Sequence, residues 1–301
     1  MVNRPVRPVV TVNPESQSYR LAAARGALAD DPASPGDSPT RPTTASGPVL
    51  PAASRTVPTA ASGAVRPEVS RAVLLCHGFT STPSSLRPLA DHLAARGYDV
   101  SVPRLPGHGT TWREMNRTTW TDWYDREEQE YIRLAASHDL VFVGGMSMGG
   151  ALAVRLAERH PEIPAVALVN PSIATFDRRY VFLPVLSRLI PSIPGISGDI
   201  KNPGRREYAY DRTPLAAANS MRQLWKDVVA HLDRLTAPTL VFRSTVDHVV
   251  DDASLGLLRG APCELTVRML ENSYHVATLD NDSPQVQAGT ADFFDRFTTR
   301  H

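Results

Sequence analysis

From Arg71 to the end of the chain, short apolar runs alternate with segments of helical periodicity, and that alternation narrows the possible folds more than any other feature. The runs "RAVLLCHGF", "YDVSVP", "LVFVGG", "AVALVN", "TLVFRSTVD" and "LTVRML" read as strands. "SSLRPLADHLAARG", with Leu86, Leu89 and Leu93 at helical spacing and Gly97 as a stop, reads as a helix. So do "WTDWYDREEQEYIRLAAS", "MGGALAVRLAERH" and the closing "SPQVQAGTADFFDRFTT". Strands separated by helices need right-handed crossovers, which predicts an α/β fold with a mostly parallel sheet and helices on both faces. An interruption at about 171–237 breaks the rhythm with prolines and apolar residues but no clean strand. It predicts a small cap over the carboxyl edge of the sheet, closed by a return helix around "MRQLWKDVVAHLDRL".

Residues 1–68 differ from the remainder, 69–301. They are rich in Pro, Ser, Thr and Ala and hold few large apolar residues, so they bury too little surface to offset chain entropy. A disordered extension is expected there, with one short helix over Ser18–Ala29. In the whole chain, 42% hydrophobic and 21% charged residues suit a globular domain with a sizeable core. A formal net charge of +1 gives no reason to expect nucleic acid or an anionic membrane as the main partner. Cys76 and Cys263 cannot build a disulfide framework, and Cys76, at the end of a strand, reads as a core thiol. No apolar run is long enough to span a bilayer and no secretory signal is evident, so a cytoplasmic monomer or homodimer is expected.

The chemistry centres on "VFVGGMSMGGALAVRLAERH", Val141 to His160. Gly145-Met146-Ser147-Met148-Gly149 follows a strand and opens a helix, the context of a G-x-S-x-G nucleophile elbow. The flanking glycines allow a sharp turn that lifts the Ser147 hydroxyl above the sheet edge, over a helix N-terminus. A serine needs a base to become nucleophilic at neutral pH, and in this arrangement an acid and then a histidine follow it in the chain. Asp247 in "LVFRSTVDHVV" and His275 in "ENSYHVATLD" both fall just beyond strands, at the edge where such sheets build their sites. Asp251 is the rival acid, although with Asp252 it also reads as a helix cap. Backbone donors for a tetrahedral intermediate are expected from Met148 and from Phe79 in "HGFT". His77 and His108 read as braces of tight loops. No metal-ligand spacing, G-x-G-x-x-G or P-loop is present, so no metal or cofactor is expected.

The stretch "AVLLCHGFTSTPSSLRPLADHLAARGYDVSVPRLPGHG", the elbow "GGMSMGG", "APTLVFRSTVDHVV" and "NSYHVATLDND" resemble the bacterial carboxylesterase and monoacylglycerol lipase branch of the α/β-hydrolase superfamily. The resemblance runs from about Arg71 to His301. It implies a serine hydrolase with a small cap that cleaves monoglycerides or esters of short to medium acyl chains through an acyl-enzyme. It carries over Ser147, Asp247 and His275 as triad, and Phe79 and Met148 as oxyanion donors. By similarity to the monoacylglycerol lipases, Ile196 and Glu207 are the candidates for the alcohol side, with a surface ion pair as the alternative for Glu207. The same triad would also suit acyl transfer or C–C bond hydrolysis, and a ligand-binding module with slow turnover is a further alternative. The cap residues Tyr180, Val181, Phe182, Leu183, Val185, Leu186, Leu189, Ile190, Ile193 and Ile196 are too apolar for a solvent-facing insertion. Most are expected to pack within the cap and a few to line an acyl tunnel.

Overall fold

The computed structural model describes residues 17–23, 69–195 and 198–298. Its main sheet has seven strands: β1 (Tyr19–Leu21), β2 (Arg71–Cys76), β3 (Asp99–Val102), β4 (Leu140–Met146), β5 (Val166–Val169), β8 (Thr239–Ser244) and β9 (Leu265–Leu270). Their order is β1-β3-β2-β4-β5-β8-β9, with β1 antiparallel to β3 and every other pairing parallel. The six strands read from the sequence are all present.

Side-chain alternation in the central strands builds two cores. In β2, Ala72, Leu74 and Cys76 face a cluster with α3 (Trp120–Ala135), α4 (Met148–Arg159) and α6 (Leu215–His231). Val73 and Leu75 face the opposite cluster, with α1 (Arg87–Ala95) and α8 (Ser283–Asp295). All five side chains are fully buried, because a parallel sheet covered on both faces leaves no solvent side. Cys76 is among them, an unbridged core thiol whose pKa burial pushes well up. Strand order reverses direction between β2 and β4, so the loops after these two strands diverge and leave a crevice at the carboxyl edge.

Tyr19–Leu21 are strand, not the helix expected over Ser18–Ala29, and residues 17–23 belong to the folded domain. Without β1, β3 would be an open edge with unpaired backbone groups, and β1 closes it. Tyr19 and Leu21 pack against the α1 side, while Arg20 points the other way and grips Glu130 of α3 through Nε and Nη2, each at 3.0 Å. Burial raises the Glu130 carboxyl, but the bonds from Arg133, Arg20 and Ser101 outweigh it and lower the pKa to about 2. This stabilisation is complete above the ordinary carboxylate range and is lost as pH falls toward that value. The rest of the expected extension, 1–16 and 24–68, lies outside the described residues.

Between β5 and β8 the chain forms the cap. A 3-10 turn (Arg178–Phe182) leads into α5 (Leu183–Leu189), and β6 (Ser192–Pro194) pairs antiparallel with β7 (Arg212–Pro214). This two-stranded ribbon corrects the expectation that the interruption holds no strand. Its strands are three residues long and each contains proline, so no alternation marks them. The return helix, α6, is present and packs on α3 and α4. Most of the cap's apolar side chains do not pack as expected. Leu183 is buried and Tyr180 and Leu186 pack beside it, but Val181, Phe182, Val185, Leu189, Ile190 and Ile193 are exposed. Helix α5 has only two turns and offers one face to α6, so its other face has nothing among the described residues to cover it. No described helix is long and apolar enough to cross a membrane.

Candidate active site

The sheet delivers the candidate residues to one edge: Phe79 follows β2, Ser147 follows β4, Asp247 follows β8 and His275 follows β9. Ser147 sits between β4 and α4 with φ 55° and ψ −123°. A non-glycine residue so placed costs about 1–3 kcal/mol and persists only where its surroundings enforce it. Here the neighbouring backbones do. A Cβ on Gly149 would overlap the carbonyl of Cys76, and one on Gly145 would overlap the carbonyl of Gly149. The Ser147 amide donates to Val169 O (3.0 Å), and its carbonyl accepts from Gly150 (2.9 Å) and Ser172 (3.0 Å). Because the obstacles are backbone, Gly149→Ala has no side chain to push aside. It should cost at least about 3 kcal/mol, near the upper end of ordinary overpacking. That is roughly 10 °C of melting temperature in a domain of this size, measurable by thermal unfolding.

The β2 loop lies against the elbow, since a Cβ on Gly78 would stand 3.4 Å from Ser147 Cβ. His77 shapes this loop. Its Nδ1–H donates to Gly78 O (3.0 Å) and its Nε2 accepts from Leu105 N (3.2 Å). The ring is fully buried, and burial lowers its pKa to about 4, so it stays neutral with both nitrogens engaged. His108 packs edge-on to it at 5.0 Å and donates through Nδ1 to Pro106 O. Both histidines are braces, as their sequence context suggests. The Phe79 and Met148 amides donate to no protein acceptor among the described residues. For Met148 this follows from its place in the first turn of α4, where helical amides lack partners.

His275 donates from Nδ1 to Asp247 Oδ2 at 2.9 Å, which leaves Nε2 as an acceptor. The Asp247 side chain has no solvent exposure and takes four donors: His275, Arg243 Nη1 (2.7 Å) on the same oxygen, and the amides of Val249 and Val250 (2.9 Å each) on the other. Burial alone would raise this carboxyl, but the hydrogen bond and charge of His275 and the amides of Val250 and Val249 hold it below the usual range. Its stabilisation is present above that range and is lost as pH falls through the depressed value. Asp251 is turned elsewhere, accepting from Ala253 N, Thr175 Oγ1 and Phe176 N, so it holds the turn that leads into α7 (Ala253–Leu258) and ties down the start of the cap.

Ser147 and His275 line one cavity of about 140 Å³, although no hydrogen bond joins them among the described residues. Contacts of this kind commonly tighten only when substrate binds. Thr80, Ser172, Thr175 and Glu207 add polar groups to the wall, and Phe79, Tyr180, Met221 and Trp225 add apolar ones. Glu207 makes no ion pair among the described residues. Its Oε2 accepts from Gly198 N at 3.1 Å. Ile196 lies outside the described residues.

The sequence reading missed two residues. Asn170, fully buried after β5, donates from Nδ2 to His275 O (2.8 Å) and Ser244 Oγ (2.9 Å), and accepts from Ser244 N (2.8 Å). Thr80, Ser147 and Asn170 are the non-glycine residues with positive φ among the described residues, and all three stand at this edge. An asparagine between a strand and a proline, in "VNPS", was the available signal. Arg243 is the other; its place four residues before Asp247 on a strand end gave a weaker one.

Residues 67–282 match the Hydrolase_4 family, described as serine aminopeptidase S33. The chain belongs to this family. The hydrolase is 42% identical over 229 residues to a thermostable monoacylglycerol lipase of Bacillus sp. (strain H-257), covering 74% of this chain and 89% of that one. It is 26% identical over 230 residues to a carboxylesterase of Bacillus subtilis (strain 168), covering 75% and 92%. Among solved structures, one reported for the metagenome-derived lipolytic enzymes LipS and LipT superposes with a TM-score of 0.73 at 37% identity, over 76% of this chain and 95% of that one. The fold is that of the α/β-hydrolases, as the sequence resemblance implied.

Proposed function

We propose that this hydrolase cleaves monoacylglycerols, with Ser147 as nucleophile, His275 as base and Asp247 as the group that orients the base. That it is an ester hydrolase rests on its family and on the lipase and carboxylesterase relatives. The observation that carries the assignment of residues is the buried Asp247–His275 hydrogen bond opening onto the cavity that holds the Ser147 elbow. In this reading, Ser147 Oγ attacks the ester carbonyl as its proton passes to His275 Nε2. The Phe79 and Met148 amides receive the negative charge that forms on the carbonyl oxygen. Collapse expels the alcohol, which takes the proton from His275, and leaves an acyl group on Ser147. Water, deprotonated by His275, then releases the fatty acid and restores the serine.

Glu207 supports the choice of a monoglyceride. One of its oxygens is held by the Gly198 amide and the other has no protein partner among the described residues, in a cavity that also contains Ser147. A half-held carboxylate suits a glycerol hydroxyl and has no use for a p-nitrophenyl group. Glu207→Ala is therefore expected to lower kcat/KM on monolaurin by about 10- to 100-fold, the value of a hydrogen bond to a charged group. Turnover of p-nitrophenyl laurate should be unchanged. Equal losses on both substrates would remove the glycerol from this account and leave a general esterase.

A further inference from the structure

A carboxylate from the cap reaches the backbone of both loops that carry the acid and the base. Asp199 Oδ2 accepts from the His275 amide (3.1 Å) and from the His248 amide (3.2 Å), directly after Asp247. Its Oδ1 accepts from His248 Nδ1 (2.8 Å), so the ring next in sequence to Asp247 is held as well. The side chain is 12% exposed, so burying the charge is offset mainly by these three donors. Resting on the assignment of His275 as base, we propose that Asp199 is a positioning residue that clamps the Asp247 and His275 loops in register.

Three features separate this from simple anchoring of the cap. The cap is already fixed to the same loop by Asp280, which accepts from Lys201 N (2.7 Å), Asn202 N (3.0 Å) and Tyr274 N (2.9 Å). The Asp199 main chain is also held independently, its carbonyl accepting from Val276 N at 3.1 Å. Removing the carboxylate thus leaves the cap attached but frees two amides, one on each catalytic loop. The loops follow different strands, β8 and β9. Thr245 on Leu270 O and Ser244 Oγ on Tyr274 O join them where the strands end. Nearer the acid and the base, the Asp247–His275 contact, Asn170, the His248–Tyr274 ring contact and this clamp set their spacing. A shift of an ångström between base and nucleophile is enough to cost about a hundredfold in rate.

The test compares Asp199→Ala with Asp199→Asn. Asparagine keeps one oxygen for both backbone amides, and its Nδ2 can donate to His248 Nδ1 in the other ring tautomer; alanine keeps neither bond. Expected results are a kcat lower by roughly 10- to 100-fold in Asp199→Ala with KM nearly unchanged, near wild-type kcat in Asp199→Asn, and slower fluorophosphonate labelling of Ser147 only in the alanine variant. Should the alanine variant not fold, Asp199→Ser, too short to reach either amide, serves in its place. Wild-type kcat and labelling in a folded Asp199→Ala, or equal kcat losses in both variants, would overturn the clamp. Absence of Ser147 labelling in the unmodified enzyme would instead overturn the assignment on which the clamp rests.

Discussion

Ser147→Ala is expected to lower kcat on a p-nitrophenyl ester by about a million-fold, the scale on which hydrolases lose rate when the nucleophile is removed. The fold should not change. The elbow is held by backbone: the Ser147 amide on Val169 O, its carbonyl on Gly150 and Ser172, and the close approach of Gly149 to Cys76. Alanine retains the Cβ, and no hydrogen bond from Ser147 Oγ to protein is found among the described residues. Melting temperature should therefore match the parent, and any residual turnover reflects the Phe79 and Met148 amides and substrate binding alone. Near-parental kcat in a folded Ser147→Ala enzyme would remove Ser147 from the mechanism.

Asp247→Asn should cost about ten-thousand-fold in kcat, the size of effect seen when such a base is held in the wrong tautomer. The direction follows from the four donors around this carboxylate. Two are backbone amides, from Val249 and Val250, which can only donate, so the asparagine carbonyl must stay with them. The amide NH₂ is then forced toward His275 Nδ1 and the Arg243 guanidinium. His275 can meet that NH₂ only by carrying its proton on Nε2, where it can no longer accept one from Ser147. The amide also leaves the buried Arg243 guanidinium with only the largely exposed Asp252 carboxylate (3.0 Å) to offset its charge, so some loss of stability should accompany the loss of rate. The same change at Asp251, which binds the cap instead of His275, should leave most of the activity. Kinetics of the two variants side by side separate the rival acids.

What could be read from the sequence was local. The six parallel strands each lie within one short run rich in apolar and β-branched residues, and the elbow compresses strand, serine, glycines and helix start into one stretch that needs no distant partner to be recognised. Asp247 and His275 were legible because the chain places each directly after a strand. The features that escaped are defined by contacts across the fold. Tyr19–Leu21 become a strand because β3 presents an open edge and Glu130 awaits Arg20, neither of which is visible in a segment surrounded by proline and serine. Asn170 and Asp199 act on His275 from far along the chain, and only the converging strand ends bring them there. The exposed cap residues misled for a related reason. Apolar content predicts burial only where an element has a face to bury against, and α5 is too short to offer more than one.

The proposed chemistry depends on Ser147 being the activated nucleophile of this hydrolase. Treatment with a fluorophosphonate, followed by digestion and mass spectrometry, tests it most directly, because the reagent bonds covalently to a serine that an adjacent base has activated. One modified residue is expected, Ser147, with ester turnover falling in proportion to labelling and no labelling in Ser147→Ala. Modification of a different residue, or full turnover with Ser147 modified, would contradict it.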